Sequence, residues 1–193
     1  MTAFKMERLV PIVPDRASLD RIARPDAALA IWWRRMSDPL RAALQELDLA
    51  RLDNLSVEID AGGSICGALR AAGYSETAIG LLSQDIELLV KRHAALTGED
   101  RLHVRLEVVE ADACCQFHAD DITLRLTCTY VGPGRQWCCV AGQDAICEVP
   151  TGSVGVFKGR MLLDPPAVLH RSPAMSAKGG RRLELVIDPA QCS

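Results

Sequence analysis

What most constrains this chain's fold is a change of texture at Thr97-Gly98-Glu99-Asp100. Before it, apolar residues recur at helical spacing; after it, short β-rich runs broken by turns take over. Following Ser75, the residues Ile79, Leu82, Ile86, Leu89, His93 and Leu96 recur three or four apart. That is an amphipathic helix with one buried face, opened by a serine cap and stopped at Gly98. Asp38-Pro39 starts another helix, with Leu40, Leu44 and Leu47 on one stripe. Residues 28–36, apolar and then basic, read as a core helix whose Arg34 and Arg35 reach back to water. His93 lies on a buried stripe and is set aside as a packing residue.

Beyond Asp100, residues 103–109, 123–131, 154–157 and 183–187 alternate in character as strands do. Turn residues punctuate them at Gly132-Pro133-Gly134, Pro150-Thr151-Gly152, Pro165-Pro166 and Lys178-Gly179-Gly180. About ninety residues thus hold roughly seven or eight short strands. Strands in that number protect their edges in a sandwich or a closed barrel, and a jelly roll fits the count. The expectation is an α+β chain in which a helical part, residues 1–100, packs on a jelly-roll barrel, residues 101–193, as one compact unit.

The 193 residues, 49% hydrophobic and 24% charged, suffice for a real core. A net charge of −3 supplies no basic field for a phosphate backbone, so no nucleic-acid partner is expected. The opening Met1-Thr2-Ala3-Phe4-Lys5-Met6-Glu7-Arg8 lacks a hydrophobic signal core, and no apolar run nears the roughly 18 residues that span a bilayer. The reading is cytoplasmic, without a membrane partner. Eight cysteines without a CxxC pair read as small buried hydrophobes. If Gly132-Pro133-Gly134 closes a hairpin centred on Pro133, Cys128 falls opposite Cys138, which would permit a weak thiol site or a reversible disulfide. Trp32, Trp33 and Tyr74 are read as core, and the oligomeric state stays open.

The chemistry lies in Phe117-His118-Ala119-Asp120 and in His170. In a strand, residues i and i+2 share a face, so His118 and Asp120 reach one ion together while Ala119 and Asp121 face away. With His170 they make two imidazoles and one carboxylate, a set that holds non-haem iron(II) with coordination positions left open. Imidazole suits zinc equally well.

The order of elements adds to this: an early HxD, then Gly152-Ser153-Val154-Gly155-Val156-Phe157, then His170, then Gly180-Arg181-Arg182-Leu183 opening a last strand. Residues 103–188 in that order resemble the iron(II)- and 2-oxoglutarate-dependent dioxygenases, particularly their prolyl-hydroxylase-like branch. The resemblance implies a double-stranded β-helix with His118, Asp120 and His170 as iron ligands and Arg182 as the anchor of the distal carboxylate of 2-oxoglutarate. The twelve-residue interval from His170 to Arg182 keeps Arg181 and Arg171 as alternative anchors. Arg125, Thr127 and Thr129 would line the barrel, and Tyr130 is a second candidate for hydrogen bonding to a carboxylate. His103 is read either as an outer partner of a ligand histidine or as a surface strand histidine.

Nearly the whole chain is also similar to a bacterial family catalogued as domain of unknown function 1826. The likeness rests on Ala30-Ile31-Trp32-Trp33-Arg34, on Phe117-His118-Ala119-Asp120 running to Leu124-Arg125-Leu126 and Thr129-Tyr130-Val131-Gly132-Pro133-Gly134, and on His170-Arg171-Ser172-Pro173. That family carries an association with zinc homeostasis. Three functions are therefore expected in order: an iron(II)/2-oxoglutarate dioxygenase, a zinc- or iron-binding protein of metal homeostasis, and an interaction module without metal. An oxygenase here would act on a small molecule or a peptide, with specificity in residues 160–167 and in the helical half.

Overall fold

The structure, a computed structural model, describes residues 9–110, 116–174 and 180–190. Met1 to Arg8 and the expected turn residues Lys178 and Gly179 lie outside them.

The described strands form two sheets. The large one has the order β1 (Ile12–Val13), β2 (Leu29–Trp32), β8 (Val154–Lys158), β5 (Leu124–Val131), β10 (Arg182–Pro189), β4 (Arg101–Val109), β3 (Leu55–Asp60). The small one has the order β7 (Gly142–Glu148), β6 (Gln136–Cys139), β9 (Val168–Arg171). β1 and β2 run parallel, and every other pairing is antiparallel. Helices are few: α1 (Asp38–Gln45), α2 (Cys66–Ala71) and α3 (Glu76–Thr97).

Each large-sheet strand divides its residues between two layers, because side chains alternate. Leu102, Val104 and Leu106 of β4, Leu124, Leu126 and Cys128 of β5, and Leu183, Leu185 and Ile187 of β10 pack with Leu82, Ile86 and Leu89 of α3 in the main core. The opposite face holds Arg125, Thr127, Thr129, Arg182, Glu184 and Asp188 by the same alternation. A second core joins the two sheets: Leu29, Ile31 and Phe157 from the large sheet meet Trp137, Cys139 and Val168 from the small one. The polar interior thus lies between two sheets, with α3 behind the larger.

The long helix matches its sequence signals. Ser75 accepts the Ala78 N–H at 3.3 Å, and Gly98 ends the helix at φ +75. α1 forms as well, but Ser37 is its cap, accepting the Leu40 N–H at 3.4 Å, and Asp38 is the first helical residue.

The helical reading of the N-terminal half fails in one respect: β1, β2 and β3 come from it and belong to the large sheet. The apolar stretch 28–36 is not a helix. Its apolar part is β2, paired with β8 in the register Leu29↔Phe157 to Trp32↔Val154. A short apolar run carries no period that separates a buried strand from a helix, and a neighbouring strand decides. Trp33, expected in the core, is 57% exposed, whereas Tyr74 is buried.

The expected hairpin at Gly132-Pro133-Gly134 is also absent. This segment carries the chain from the large sheet to the small one, so Cys128 pairs across from Leu185 and Val154 while Cys138 pairs with Leu169. The two thiols sit in different sheets and are not opposite each other. Gly132 makes the crossing at φ +86, where a Cβ would meet the Arg181 carbonyl at 2.9 Å.

Candidate metal centre

The two halves of the site are joined by backbone. His118 and His170 form an isolated antiparallel bridge: the His118 N–H donates to the His170 carbonyl at 3.0 Å, and the His170 N–H returns to the His118 carbonyl at 2.9 Å. The HxD segment is therefore a single bridge residue followed by a loop, not the continuous strand expected. A second loop fixes Asp120: the Arg160 N–H donates to its carbonyl at 2.8 Å and the Gly159 N–H to that of Thr123 at 2.8 Å. Gly159 is required by this approach, since a Cβ there would lie 2.1 Å from the Ile122 carbonyl.

These contacts bring His118, Asp120 and His170 together with one potential ligand atom of each within 4.8 Å of the others. His118 Nε2 is 3.7 Å from Asp120 Oδ1, and His170 Nε2 is 2.9 Å from Asp120 Oδ2. The latter contact is short but poorly aligned, and Oδ2 is buried with no other partner. A carboxylate oxygen in that state points to a missing cation or proton donor. Two imidazoles and a carboxylate around it fit a divalent metal.

Outer contacts orient the rings. His118 Nδ1 donates to the Gln116 carbonyl at 2.9 Å, which turns Nε2 toward the site. His170 Nδ1 instead faces Arg135, whose Nη1 lies 3.1 Å away, and its ring packs against Phe157 with centroids 4.6 Å apart. Burial pushes the His170 pKa down to about 4, so its ring is neutral at physiological pH. For Asp120, burial alone would raise the pKa. The His170 contact, Arg125 and His118 outweigh it and hold the carboxyl well below the usual range. A neutral imidazole and an ionised carboxylate are the protonation states a metal requires.

The remaining sequence candidates separate. Arg125 faces the interior, with Nη1 2.6 Å from Asp120 Oδ1 and Nε 2.8 Å from Asp188 Oδ1. Arg182 is fully buried on the same face: Nε donates to the Pro133 carbonyl at 2.9 Å, Nη2 lies 3.1 Å from Glu184 Oε2, and Nη1 has no partner. The alternatives Arg181 and Arg171 point elsewhere, toward Glu110 at 2.6 Å and over the Phe117 ring at 4.3 Å.

Tyr130 is a correction. Strand alternation turns it to the helix side, where its hydroxyl donates to Asp85 Oδ2 at 2.7 Å beside the Arg34–Asp85 ion pair, away from the triad. His103 is no outer partner of the ligand histidines: its Nε2 meets Ser56 Oγ at 2.8 Å. His93, 0% exposed, has its pKa lowered to about 4 by burial, in keeping with a packing role.

Sequence reasoning missed Arg135, Glu184 and Asp188. Glu184 and Asp188 share the parity of Arg182 along β10, which was a usable signal; Arg135 lies outside any strand and carried none.

Beside Arg125 a groove of about 620 Å³ opens on the same sheet face, lined by Ser56, Glu58, His103, Arg105, Arg125 and Asp188 among others. No helix among the described residues is long and apolar enough to cross a membrane.

The fold is that of a group of dioxygenases. The chain is similar to the Arabidopsis thaliana dioxygenase for auxin oxidation 1, solved as a 2-oxoglutarate complex, with a TM-score of 0.55 at 9% identity over 95% of this chain and 92% of that one. It is likewise similar to the rice dioxygenase for auxin oxidation, with a TM-score of 0.50 at 14% identity over 90% of this chain and 76% of that one. At such identities the likeness concerns the fold. No curated protein matches the chain in sequence. Its family is nonetheless clear: the model described as "Protein of unknown function (DUF1826)" matches residues 14–188, and the chain belongs to that family.

Proposed function

We propose that this protein is a non-haem iron(II)- and 2-oxoglutarate-dependent dioxygenase built on a double-stranded β-helix, or jelly roll. The observation that carries this reading is the convergence of His118, Asp120 and His170 around a buried carboxylate oxygen. Arg182 supports the co-substrate half. Its Nη1 is a buried donor without an acceptor, on the face that bears Arg125. A buried guanidinium nitrogen in that state suits a carboxylate.

The residues divide the work. His118, Asp120 and His170 would hold iron(II), which when bound supplies the redox chemistry and leaves positions for dioxygen and co-substrate. Arg182 would pair with the distal carboxylate. Arg125 holds Asp120 Oδ1 in place and so leaves Oδ2 to face the metal. The primary substrate, a small molecule or a peptide segment, would enter by the groove beside Arg125, which Ile122 and Pro189 also line. The protein would work in the cytoplasm.

A second reading, a zinc- or iron-binding protein of metal homeostasis without oxygenase activity, draws on one observation: Arg182 already faces an internal carboxylate, Glu184. The test is metal analysis of protein purified without oxygen, followed by succinate release from 2-oxoglutarate. Succinate formation with iron(II), lost in His118→Ala and His170→Ala, supports the oxygenase. Tight zinc binding with no turnover in iron selects the second reading, and unchanged metal content in both variants removes the triad itself.

A further inference from the structure

Behind His170 lies a buried chain of ions. Glu184 is 1% exposed; its Oε1 accepts from Arg135 Nε at 2.8 Å, and its Oε2 faces Arg182 Nη2 at 3.1 Å. Arg135 Nη1 in turn contacts His170 Nδ1 at 3.1 Å. The chain therefore runs from the anchor guanidinium, through a carboxylate and a second guanidinium, to a metal-ligand ring. A dicarboxylate stretched from the metal to Arg182 would arrive beside a carboxylate of the protein itself.

We propose that Glu184 is the specificity-determining residue for the co-substrate: a resident carboxylate that holds Arg182 in the ligand-free protein and is displaced from it by an incoming distal carboxylate. This rests on the 2-oxoglutarate reading above. Two guanidiniums share Glu184, and Glu148 lies near enough to Arg182 to act on its charge, yet neither carboxylate gives Nη1 an acceptor, so the anchor has room for one more anion. The unpartnered Arg182 Nη1 shows that Glu184 does not satisfy the anchor. Arg135 is where Glu184 goes. A guanidinium only donates, and a ring turned to a metal through Nε2 carries its proton on Nδ1, so metal binding releases Arg135 from His170 and leaves it to Glu184. Until then the arriving carboxylate meets a like charge at short range, which weakens dicarboxylate binding.

The test measures 2-oxoglutarate and 2-oxopentanoate, of equal chain length but without the distal carboxylate, binding by calorimetry to the full chain loaded with manganese(II). Glu184→Gln, which keeps the shape and removes the charge, is expected to bind 2-oxoglutarate at least about ten-fold tighter, with 2-oxopentanoate changed less than about three-fold. Unchanged or weaker 2-oxoglutarate binding in that variant overturns the proposal and makes Glu184 a structural ion. Should the variant not fold, the wild type still decides. A preference for 2-oxoglutarate under about ten-fold agrees with a resident competitor, and one above about a hundred-fold overturns it. No 2-oxoglutarate binding in either protein, with metal retained, overturns the co-substrate reading and this inference together.

Discussion

Two arginine clusters flank the triad, and they differ in burial and in what each leaves unsatisfied. On the groove side, Arg105 and Arg125 are met by three carboxylates, Asp120, Asp188 and Glu107. On the deep side, Arg135 and Arg182 share one carboxylate, Glu184, and the three side chains are at most 9% exposed. The groove cluster is short of a cation, and the deep cluster leaves Arg182 Nη1 short of an acceptor. A divalent metal beside Asp120 and an organic acid beside Arg182 are the ligands proposed for them, and His170, which meets Asp120 through Nε2 and Arg135 through Nδ1, stands between the two clusters.

Removing the groove-side carboxylate proposed as a metal ligand breaks the comparison most severely. Asp120→Ala deletes a ligand, so metal affinity should fall by more than about a hundred-fold, beyond the 10–100-fold typical of outer contacts. Competition with a chromogenic chelator measures it, and near-wild-type affinity would detach the metal from this cluster. Next in size is the deep side. Arg182→Ala leaves a buried carboxylate with one partner fewer and should cost about 3–5 kcal/mol in urea unfolding. Arg105→Ala, on the half-exposed side, should cost at most about 1 kcal/mol. Equal losses would erase the contrast in burial.

Acid sharpens the same contrast. Burial would raise the Glu184 pKa, but Arg135 and Arg182 outweigh it and hold the group below 4.5. Its pKa is thus lower folded than unfolded, so its contribution to stability is present above about pH 4.5 and is lost as the pH falls through the folded value. Wild-type protein should lose stability steeply below pH 4.5, and Glu184→Gln should flatten that slope, as read from urea midpoints across pH. An unaltered slope would mean that other carboxylates carry the acid transition.

Much of the candidate metal site was legible because it is local. His118 and Asp120 are two residues apart, and element order singled out His170. The deep cluster was only half legible: Arg182 stood at the start of an alternating strand, but nothing near Arg135 in the sequence ties it to Glu184, 49 residues on. The misread segment 28–36 failed for a related reason, since a short apolar run takes its conformation from β8, more than a hundred residues away.

By itself the sequence determined what local spacing can encode: the long amphipathic helix with its serine cap and glycine stop, the alternating strands that sort apolar from polar residues, and the HxD pair. Tertiary structure alone decided that N-terminal strands complete the large sheet, that Gly132-Pro133-Gly134 crosses between sheets instead of closing a hairpin, and that Tyr130 faces the helix. It alone placed Arg135 and Glu184 between His170 and Arg182. Strand pairing and buried ion pairs are made between residues distant in the chain, and no local period records which partner each will find.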